Sequence, residues 1–217
     1  MKIEAIICDM DGTLVQYPEP PFYSTWDALP LAFPERKREE WIKMRDFFLE
    51  KKGDYDDWFN FQLNSLKGTS FSDVKRNLFP IPYSKGVVPF FQSLNGNYVT
   101  GILSAGINIV AEKIVEELGF DFQFSNYLEV VGGKFTGKGK PHVELGKKKE
   151  LFYEIIKKYH LKPEETLFVG DGFGDIPILE IVGIPVAYGR KFDEVTKKVK
   201  YVINDFRELN DILKEEK

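Results

Sequence analysis

From residue 84 onward, short apolar runs alternate with longer stretches in which apolar residues recur every three or four positions. The short runs predict strands over 98–103, 122–131, 166–169, 184–187 and 201–203. The longer stretches predict helices over 87–94, 107–118, 147–159, 176–182, 193–199 and 206–215. The glycine-rich segment 132–139 is predicted to be a turn region. Because strands that alternate with helices form βαβ units, the sequence predicts an α/β fold with a Rossmann-like, doubly wound parallel sheet.

Residues 16–83 differ in character from the rest of the chain. All three tryptophans lie there, and prolines cluster near both ends of the segment. The spacing of its apolar residues predicts helices over 35–52, 54–67 and 72–78. Because proline clusters often mark boundaries, we predict a mainly helical cap over 16–83, inserted after the first strand. Residues 1–15 and 84–217 would then form the α/β core.

The composition argues against several classes of protein. The formal net charge is −4 and there is no basic tail, so we expect no nucleic-acid partner. The single cysteine, Cys8, cannot form an internal disulfide or a cysteine-based zinc site, which favours a reducing compartment. No apolar run approaches the roughly 18 residues that span a bilayer, and none resembles a signal peptide. We therefore expect a cytoplasmic protein with no membrane partner.

The apolar run over 3–8 predicts a first buried strand, and it ends in two closely spaced carboxylates, Asp9 and Asp11, followed by Gly12 and Thr13. Open α/β sheets bind ligands at the carboxyl ends of their strands. Two crowded carboxylates repel each other unless a divalent cation lies beside them or one carries a proton. Both conditions suit phosphoryl transfer, with one aspartate as nucleophile and the other as proton carrier. A polar turn is the alternative, since Asp and Gly favour turns.

A second predicted strand, over 98–103, is followed by Ser104, Ala105 and Gly106 and then by a helix. A serine together with free backbone N–H groups at the start of a helix can bind an anion such as phosphate. The alternative is that Ser104 only caps the helix.

A third predicted strand is followed by the loop over 170–175, which carries Asp171 and Asp175 among three glycines. Glycines allow close approach of the backbone, and the two carboxylates are spaced so that both can face one cation. An EF-hand calcium loop is excluded because the run is too short and lacks the distal glutamate.

The helix predicted over 147–159 begins with three consecutive lysines. Stepping back one turn along its apolar stripe leads to Lys148, which is therefore predicted to face the sheet. A solvated basic first turn is the alternative. Because a right-handed crossover helix begins near the carboxyl ends of the strands, we expect Lys148 to lie beside Asp9 as a cation among acids.

Taken in order, these motifs resemble those of the haloacid-dehalogenase-like superfamily. The downstream part of the chain, including a Thr136-Gly137 turn, resembles the phosphoserine phosphatases of that superfamily. The resemblance covers most of the chain and implies a phosphatase that hydrolyses a small phosphorylated metabolite. The roles it implies at the phosphoryl group are Asp9 as nucleophile, Asp11 as acid and base, and Ser104, Ala105 and Lys148 as binding groups.

The resemblance also implies a cofactor, Mg²⁺. Its ligands would be the Asp9 carboxylate, the Asp11 backbone carbonyl and Asp171, with Asp175 acting directly or through water. All-oxygen ligands suit magnesium better than zinc. We expect a monomer or a homodimer.

The chain departs from the phosphoserine phosphatases in the residues that hold the amino acid. Those enzymes use a glutamate soon after the first motif and an arginine in the cap, whereas this chain has Pro18 with Glu19 and then Gln62 at about these positions. Gly174 stands where the acidic loop commonly has Asn. The substrate therefore stays open between phosphoserine and another phosphomonoester. Four aromatic residues follow the first motif and are interpreted as cap core, with a substrate-pocket wall as the alternative: Tyr17, Phe22, Tyr23 and Trp26.

Two other functions use similar groups. A phosphotransferase or phosphomutase of the same superfamily would share these motifs and differ only in the acceptor. A non-enzymatic receiver-like, phosphate-sensing module would also combine clustered aspartates, a hydroxyl and a lysine, although the cap and the late acidic loop argue against it. A dehalogenase is disfavoured because that branch generally lacks the second acid of the first motif, which is Asp11 here.

Overall fold

The computed structural model describes residues 2–17, 24–50 and 54–216. Its strands are β1 (Ala5–Cys8), β2 (Val99–Ile107), β3 (Phe122–Val131), β4 (Lys134–Lys140), β5 (Thr166–Gly170), β6 (Ile184–Tyr188) and β7 (Tyr201–Ile203). They form one seven-stranded sheet in the order β4-β3-β2-β1-β5-β6-β7. Every neighbouring pair is parallel except β3 and β4. The predicted α/β fold with a mainly parallel sheet is confirmed.

Helices alternate with these strands in the described part of the chain. They are α1 (Thr25–Ala28), α2 (Glu35–Leu49), α3 (Tyr55–Leu66), α4 (Phe71–Leu78), α5 (Val87–Ser93), α6 (Asn108–Leu118), α7 (Lys148–Lys158), α8 (Ile176–Leu179), α9 (Asp193–Thr196) and α10 (Leu209–Glu215). Three are three residues shorter than predicted. Helices α8 and α9 end early, and α10 begins late because Phe206–Glu208 form a 3-10 turn. The predicted end of the helix over 35–52 falls partly outside the described residues.

Successive residues of β1 face opposite sides of the sheet, as the two-residue period of a strand requires. Ile6 and Cys8 pack with apolar residues of α5, α6 and α10, whereas Ala5 and Ile7 pack with those of α7, α8 and α9. All four side chains are fully buried. Helices therefore cover both faces of the sheet, which is the doubly wound arrangement predicted from the sequence.

The prediction of a turn over 132–139 is wrong for most of that segment. Gly132 and Gly133 form the turn, and both have positive φ, at 58° and 73°, as two-residue hairpin turns favour. From Lys134 onward the chain forms β4, which runs antiparallel to β3. The strand was missed because glycine and lysine have low strand propensity, and backbone pairing with β3 overrides it.

The helices between β1 and β2 pack against this hairpin. The backbone N–H of Gly68 donates to the carbonyl of Phe135, and the N–H of Phe135 donates to the carbonyl of Thr69. Trp41 and Phe59 belong to the same continuous apolar cluster as the sheet residues. The division of the chain into a cap over 16–83 and a core stays a prediction.

The aromatic residues predicted as cap core are described only in part. Tyr17 and Trp26 are buried, as expected. Phe22 and Tyr23 lie outside the described residues, as do Pro18 and Glu19. In the described ranges, no helix combines the length and the apolar character needed to cross a membrane.

Candidate active site

The polar residues singled out from the sequence lie along three adjacent strands. In the sheet, β1 lies between β2 and β5, so the residues at the carboxyl ends of these strands are neighbours. Asp9 follows β1 directly, and its backbone N–H donates to the carbonyl of Val169 in β5 at 2.9 Å. This bond extends the strand pairing by one residue and fixes Asp9 beside the loop that carries Asp171.

Lys148 is the first residue of α7, and its side chain is buried between two carboxylates. Its Nζ lies 3.0 Å from Oδ1 of Asp9 and 2.6 Å from Oδ1 of Asp175. Burial lowers the pKa of Lys148, but Asp175 and Asp9 outweigh burial and hold that pKa well above its usual range. Lys147, by contrast, is exposed and pairs with Glu144. The helix orientation predicted from the apolar stripe is therefore confirmed for Lys148.

Both oxygens of Asp175 are engaged by the protein itself. Oδ1 accepts a hydrogen bond from Lys148, and Oδ2 accepts from the backbone N–H groups of Asp171 and Gly172, each at 3.0 Å. Gly170 makes room for this carboxylate, since a Cβ there would lie 2.5 Å from the carboxyl carbon of Asp175. Asp175 therefore holds both Lys148 and the loop of Asp171 in place.

Asp171 is held by a hydroxyl and by a second lysine. Oδ1 accepts from Oγ1 of Thr13 at 2.9 Å, and Oδ2 accepts from Nζ of Lys191 at 2.9 Å. Lys191 also donates to the carbonyl of Gly12 at 2.9 Å. Gly12 has a φ of +80°, and a Cβ there would lie 2.3 Å from Oδ2 of Asp171, so the first motif and the acidic loop are in direct contact.

Sequence reasoning missed Lys191. The residue follows Asp171 by 20 positions and belongs to no motif or periodic stretch. The neighbouring residues, Arg190 and Phe192, also form no pattern that would predict a contact between Lys191 and an aspartate. Only the adjacency of β5 and β6 in the sheet brings the loop after β6 to Asp171.

The carboxylates of Asp9, Asp171 and Asp175 form a compact acidic cluster. Each can present one oxygen so that the three atoms lie within 4.8 Å of one another. Burial raises the pKa of Asp9 and of Asp171, although the nearby lysines oppose this effect. A divalent cation would relieve the repulsion among these carboxylates, and their oxygens are the ligands that a hard cation prefers. The residues present therefore fit a metal such as Mg²⁺.

Asp11 has a different environment from the acidic cluster. Its Oδ1 accepts from the backbone N–H of Thr25 and its Oδ2 from the Thr25 hydroxyl, both at 2.8 Å. Burial raises the pKa of Asp11 to about 8 despite these two hydrogen bonds, which lower it. Thr25 is itself buried and its hydroxyl accepts from the N–H of Ile107. The metal contact expected from the Asp11 backbone carbonyl stays a prediction.

Ser104, Ala105 and Gly106 lie in β2 rather than at the start of a helix. Helix α6 begins at Asn108, so the alternative that Ser104 caps it is wrong. The Ser104 hydroxyl accepts from the N–H of Gly106 at 3.1 Å, a local bond that the sequence does not reveal. A Cβ on Gly106 would lie 2.6 Å from Oδ2 of Asp11, so this segment borders the first motif.

Helix α1 contacts this segment through Trp26. The indole N–H of Trp26 donates to the carbonyl of Ala105 at 2.8 Å, and so does the side-chain amide of Asn126. The Trp26 ring lies 5.1 Å from the ring of Trp58 in α3, measured between centroids. Trp58 and Gln62 stand one helical turn apart on α3. Within the described residues, the indole N–H of Trp58 and both amide atoms of Gln62 are buried without a hydrogen-bond partner.

A family model for haloacid dehalogenase-like hydrolases matches residues 3–183. The chain is 29% identical over 215 residues to the phosphoserine phosphatase of Methanocaldococcus jannaschii, which covers 98% of this chain and 97% of that relative. It is 28% identical over 196 residues to the phosphoserine phosphatase of Archaeoglobus fulgidus, covering 89% of this chain and 54% of that relative.

Solved structures of phosphoserine phosphatases are also similar to this chain. A phospho-aspartyl intermediate analogue of phosphoserine phosphatase superposes with a TM-score of 0.74 at 28% identity, covering 98% of this chain and 99% of that one. A substrate-bound phosphoserine phosphatase complex superposes with a TM-score of 0.75 at 27% identity, with the same coverage of both chains. The chain therefore belongs to the haloacid dehalogenase-like hydrolase family and is a phosphatase of its phosphoserine phosphatase-like branch.

Proposed function

We propose that this phosphatase uses Asp9 as its nucleophile and Mg²⁺ as its metal to hydrolyse a small phosphomonoester. The observation that carries the proposal is the convergence at one sheet edge of Asp9, Lys148 and the carboxylate of Asp171. Phosphoryl transfer needs little covalent chemistry from the protein beyond the nucleophile, so positioning and charge stabilisation dominate. A carboxylate, a lysine and a cation site in mutual contact supply both.

The reaction proceeds in two displacements at phosphorus. In the first, an oxygen of Asp9 attacks phosphorus in line, and the bond to the leaving alkoxide breaks to give an aspartyl phosphate. Asp11 gives the alkoxide its proton. In the second, Asp11 takes a proton from water, the water oxygen attacks phosphorus, and inorganic phosphate leaves while Asp9 is restored.

Thr25 orients Asp11 for these proton transfers. Its N–H and hydroxyl each bind one carboxylate oxygen of Asp11, which keeps that carboxylate out of the acidic cluster. The Asp11 carboxylate is thus left for proton transfer, two residues from the nucleophile. Its backbone carbonyl is assigned to the metal, as the family resemblance implies.

Lys148, Ser104 and Ala105 bind the phosphoryl group. Lys148 is locked by Asp9 and Asp175 and presents its positive charge without a reorganisation cost at the moment of reaction. Ser104 is buried, and its segment borders Asp11. The Ser104 hydroxyl and the Ala105 backbone N–H are assigned as the groups in β2 that donate to a phosphoryl oxygen.

Mg²⁺ is assigned to Asp9 and Asp171, with Asp175 as the residue that positions Asp171. When bound, it supplies positive charge that lets an anionic phosphoryl group approach a carboxylate. Removal of the metal with EDTA is expected to stop phosphate release, and addition of Mg²⁺ is expected to restore it.

O-phosphoserine is the first candidate substrate, because the relatives that cover the whole chain are named for this activity. Gln62 favours a second candidate, a phosphomonoester whose organic part carries a neutral hydrogen-bonding group. Its amide is neutral and, in the described part of the chain, unpartnered, as is the indole N–H of Trp58. A buried amide without a partner costs free energy that a neutral polar substrate group would recover.

The test is phosphate release from a panel of phosphoserine, sugar phosphates and phosphocholine, with no added acceptor. We expect Mg²⁺-dependent release from at least one member, since hydrolysis needs only water, whereas a phosphotransferase needs an acceptor and a receiver module turns over slowly. Preference for phosphoserine supports the first candidate and preference for a neutral compound the second. Release from no member, or release that persists in excess EDTA, would contradict the proposal.

A matched pair of variants separates the two substrates. If α3 faces the organic part of the substrate, Gln62→Arg is expected to raise kcat/KM for phosphoserine by supplying a partner for its carboxylate. Asn64→Arg, exposed on the same helix, is the control and is expected to change nothing. The cytoplasmic location and the monomeric or homodimeric state predicted from the sequence complete the proposal.

A further inference from the structure

Lys191 lies in the loop between β6 and α9, at the same sheet edge as the acidic cluster. Its Nζ joins two segments that are distant in sequence, because it donates both to Oδ2 of Asp171 and to the carbonyl of Gly12, each at 2.9 Å. Its neighbour Phe192 packs on Phe173, with ring centroids 4.6 Å apart, so the loop is held close to Asp171.

The two lysines of the site are held in very different ways. The side chain of Lys148 is 5% exposed and is fixed between the carboxylates of Asp9 and Asp175. The side chain of Lys191 is 38% exposed and, among the described residues, has one carboxylate partner. A lysine on a flexible four-carbon stem can leave a half-exposed position for water at little cost. Lys148 is therefore a fixed part of the site. The ammonium group of Lys191, by contrast, can leave Asp171 and be replaced there by another cation.

The partners of Lys191 keep other hydrogen bonds when it leaves. The side-chain amide of Gln16 also donates to the carbonyl of Gly12, and the Thr13 hydroxyl holds the other oxygen of Asp171. Departure of Lys191 thus leaves the Gly12 carbonyl with a donor, whereas Oδ2 of Asp171 and Oε1 of Gln16, which lies 3.5 Å from Nζ of Lys191, lose this one. What Asp171 loses is the compensating positive charge, which a divalent cation would replace.

We propose that Lys191 is an exchangeable counter-ion that compensates Asp171 in the metal-free enzyme and opposes the binding of Mg²⁺. This inference rests on the proposed function, because it takes Asp171 as a ligand of the metal. Two cations at one carboxylate repel each other, and water attenuates the repulsion without abolishing it. Lys191 is then a positioning residue that sets the metal affinity of the site, and it takes no part in the chemistry at phosphorus.

The experiment measures Mg²⁺ binding to the metal-free protein without substrate, by isothermal titration calorimetry at low ionic strength. Lys191→Met is expected to bind Mg²⁺ about threefold to thirtyfold more tightly than the wild type, because the opposing charge is gone. Lys191→Arg, which keeps the charge, is expected to stay near the wild type. Lys197→Met, an exposed charge removal in the same region, is the control and is expected to change the affinity by less than about twofold.

Thermal unfolding supplies a second readout. Lys191→Met is expected to lower the Tm of the metal-free protein, because Asp171 loses its partner, and to leave the Tm at saturating Mg²⁺ unchanged. The Mg²⁺-induced rise in Tm is therefore expected to be larger in this variant, as linkage requires for tighter binding.

An unchanged or weaker Mg²⁺ affinity in Lys191→Met would overturn this inference alone and would make Lys191 a structural support. A wild-type protein and variants that all fail to bind Mg²⁺ would overturn the proposed metal site and this inference with it.

Discussion

At the carboxyl edge of the sheet, Lys148, Asp175 and Asp171 are bound to one another or to nearby backbone. On α3, by contrast, the indole N–H of Trp58 and the amide atoms of Gln62 are buried without a hydrogen-bond partner among the described residues. The first region is complete before a substrate arrives, because its groups hold one another in position. The second region is incomplete. This difference is consistent with the proposal that the sheet edge carries out the chemistry and that α3 contacts the organic part of the substrate.

The largest expected effect is at the nucleophile. Asp9→Asn is expected to abolish phosphate release, because an amide is a poor nucleophile and cannot form the aspartyl phosphate. The measurement is kcat at saturating Mg²⁺ with the best substrate of the panel, together with circular dichroism to show that the fold is intact. Near-normal turnover would remove Asp9 from the mechanism.

Loss of the buried lysine is expected to have the next largest effect. Lys148→Ala is expected to lower kcat by about 10²–10³, comparable with the loss of another preorganised charge-stabilising group. Lys147→Ala is the matched control, because that lysine is exposed and pairs only with Glu144 among the described residues. If Lys147→Ala lowered kcat and Lys148→Ala did not, the assignment of the phosphate-binding lysine would be wrong.

On α3, removal of the unpartnered Gln62 amide is expected to stabilise the protein and to weaken substrate binding. Gln62→Leu is expected to raise the free energy of unfolding by about 1 kcal/mol without substrate, because an unsatisfied buried polar group is lost. The same variant is expected to raise KM by about tenfold with a smaller change in kcat. Urea unfolding and steady-state kinetics check the two effects, with exposed Asn64→Leu as the control. A fall in stability would show that Gln62 is already satisfied.

The smallest expected effect lies outside both regions, at Asp205, the N-terminal cap of the 3-10 turn before α10. Asp205 accepts from the backbone N–H of Arg207 and pairs with its side chain, which holds the pKa of Asp205 below its usual range. Asp205→Ala is expected to lower the free energy of unfolding at pH 7 by about 1 kcal/mol and to leave kcat unchanged.

The pH dependence of this effect has a definite sign. Because the pKa of Asp205 is lower in the folded state than in the unfolded state, its stabilisation is complete above about pH 4 and is lost as the pH falls through the folded-state pKa. The difference between wild type and Asp205→Ala in urea unfolding is therefore expected to shrink between pH 5 and pH 2. Asp211→Ala, an exposed control, is expected to show no such trend.

The parts of the site that follow from local pattern were predictable from the sequence. An apolar run that ends in an aspartate fixes the place of Asp9, and a 3.6-residue stripe fixes which of three lysines faces the sheet. Lys191 and Thr25 were not predictable, because each reaches the site through the way distant segments pack. The strand β4 was missed for a related reason, since its pairing with β3 overrides the weak propensity of its residues.

The most direct test of the account is to locate the phosphoryl group on the enzyme during turnover. Acid quenching of the reaction within milliseconds, followed by peptide mapping with mass spectrometry, is expected to find phosphate on the peptide that contains Asp9 in the wild-type protein and none in Asp9→Asn. Phosphate on another residue, or turnover with no phosphorylated enzyme under conditions that trap an aspartyl phosphate, would contradict it.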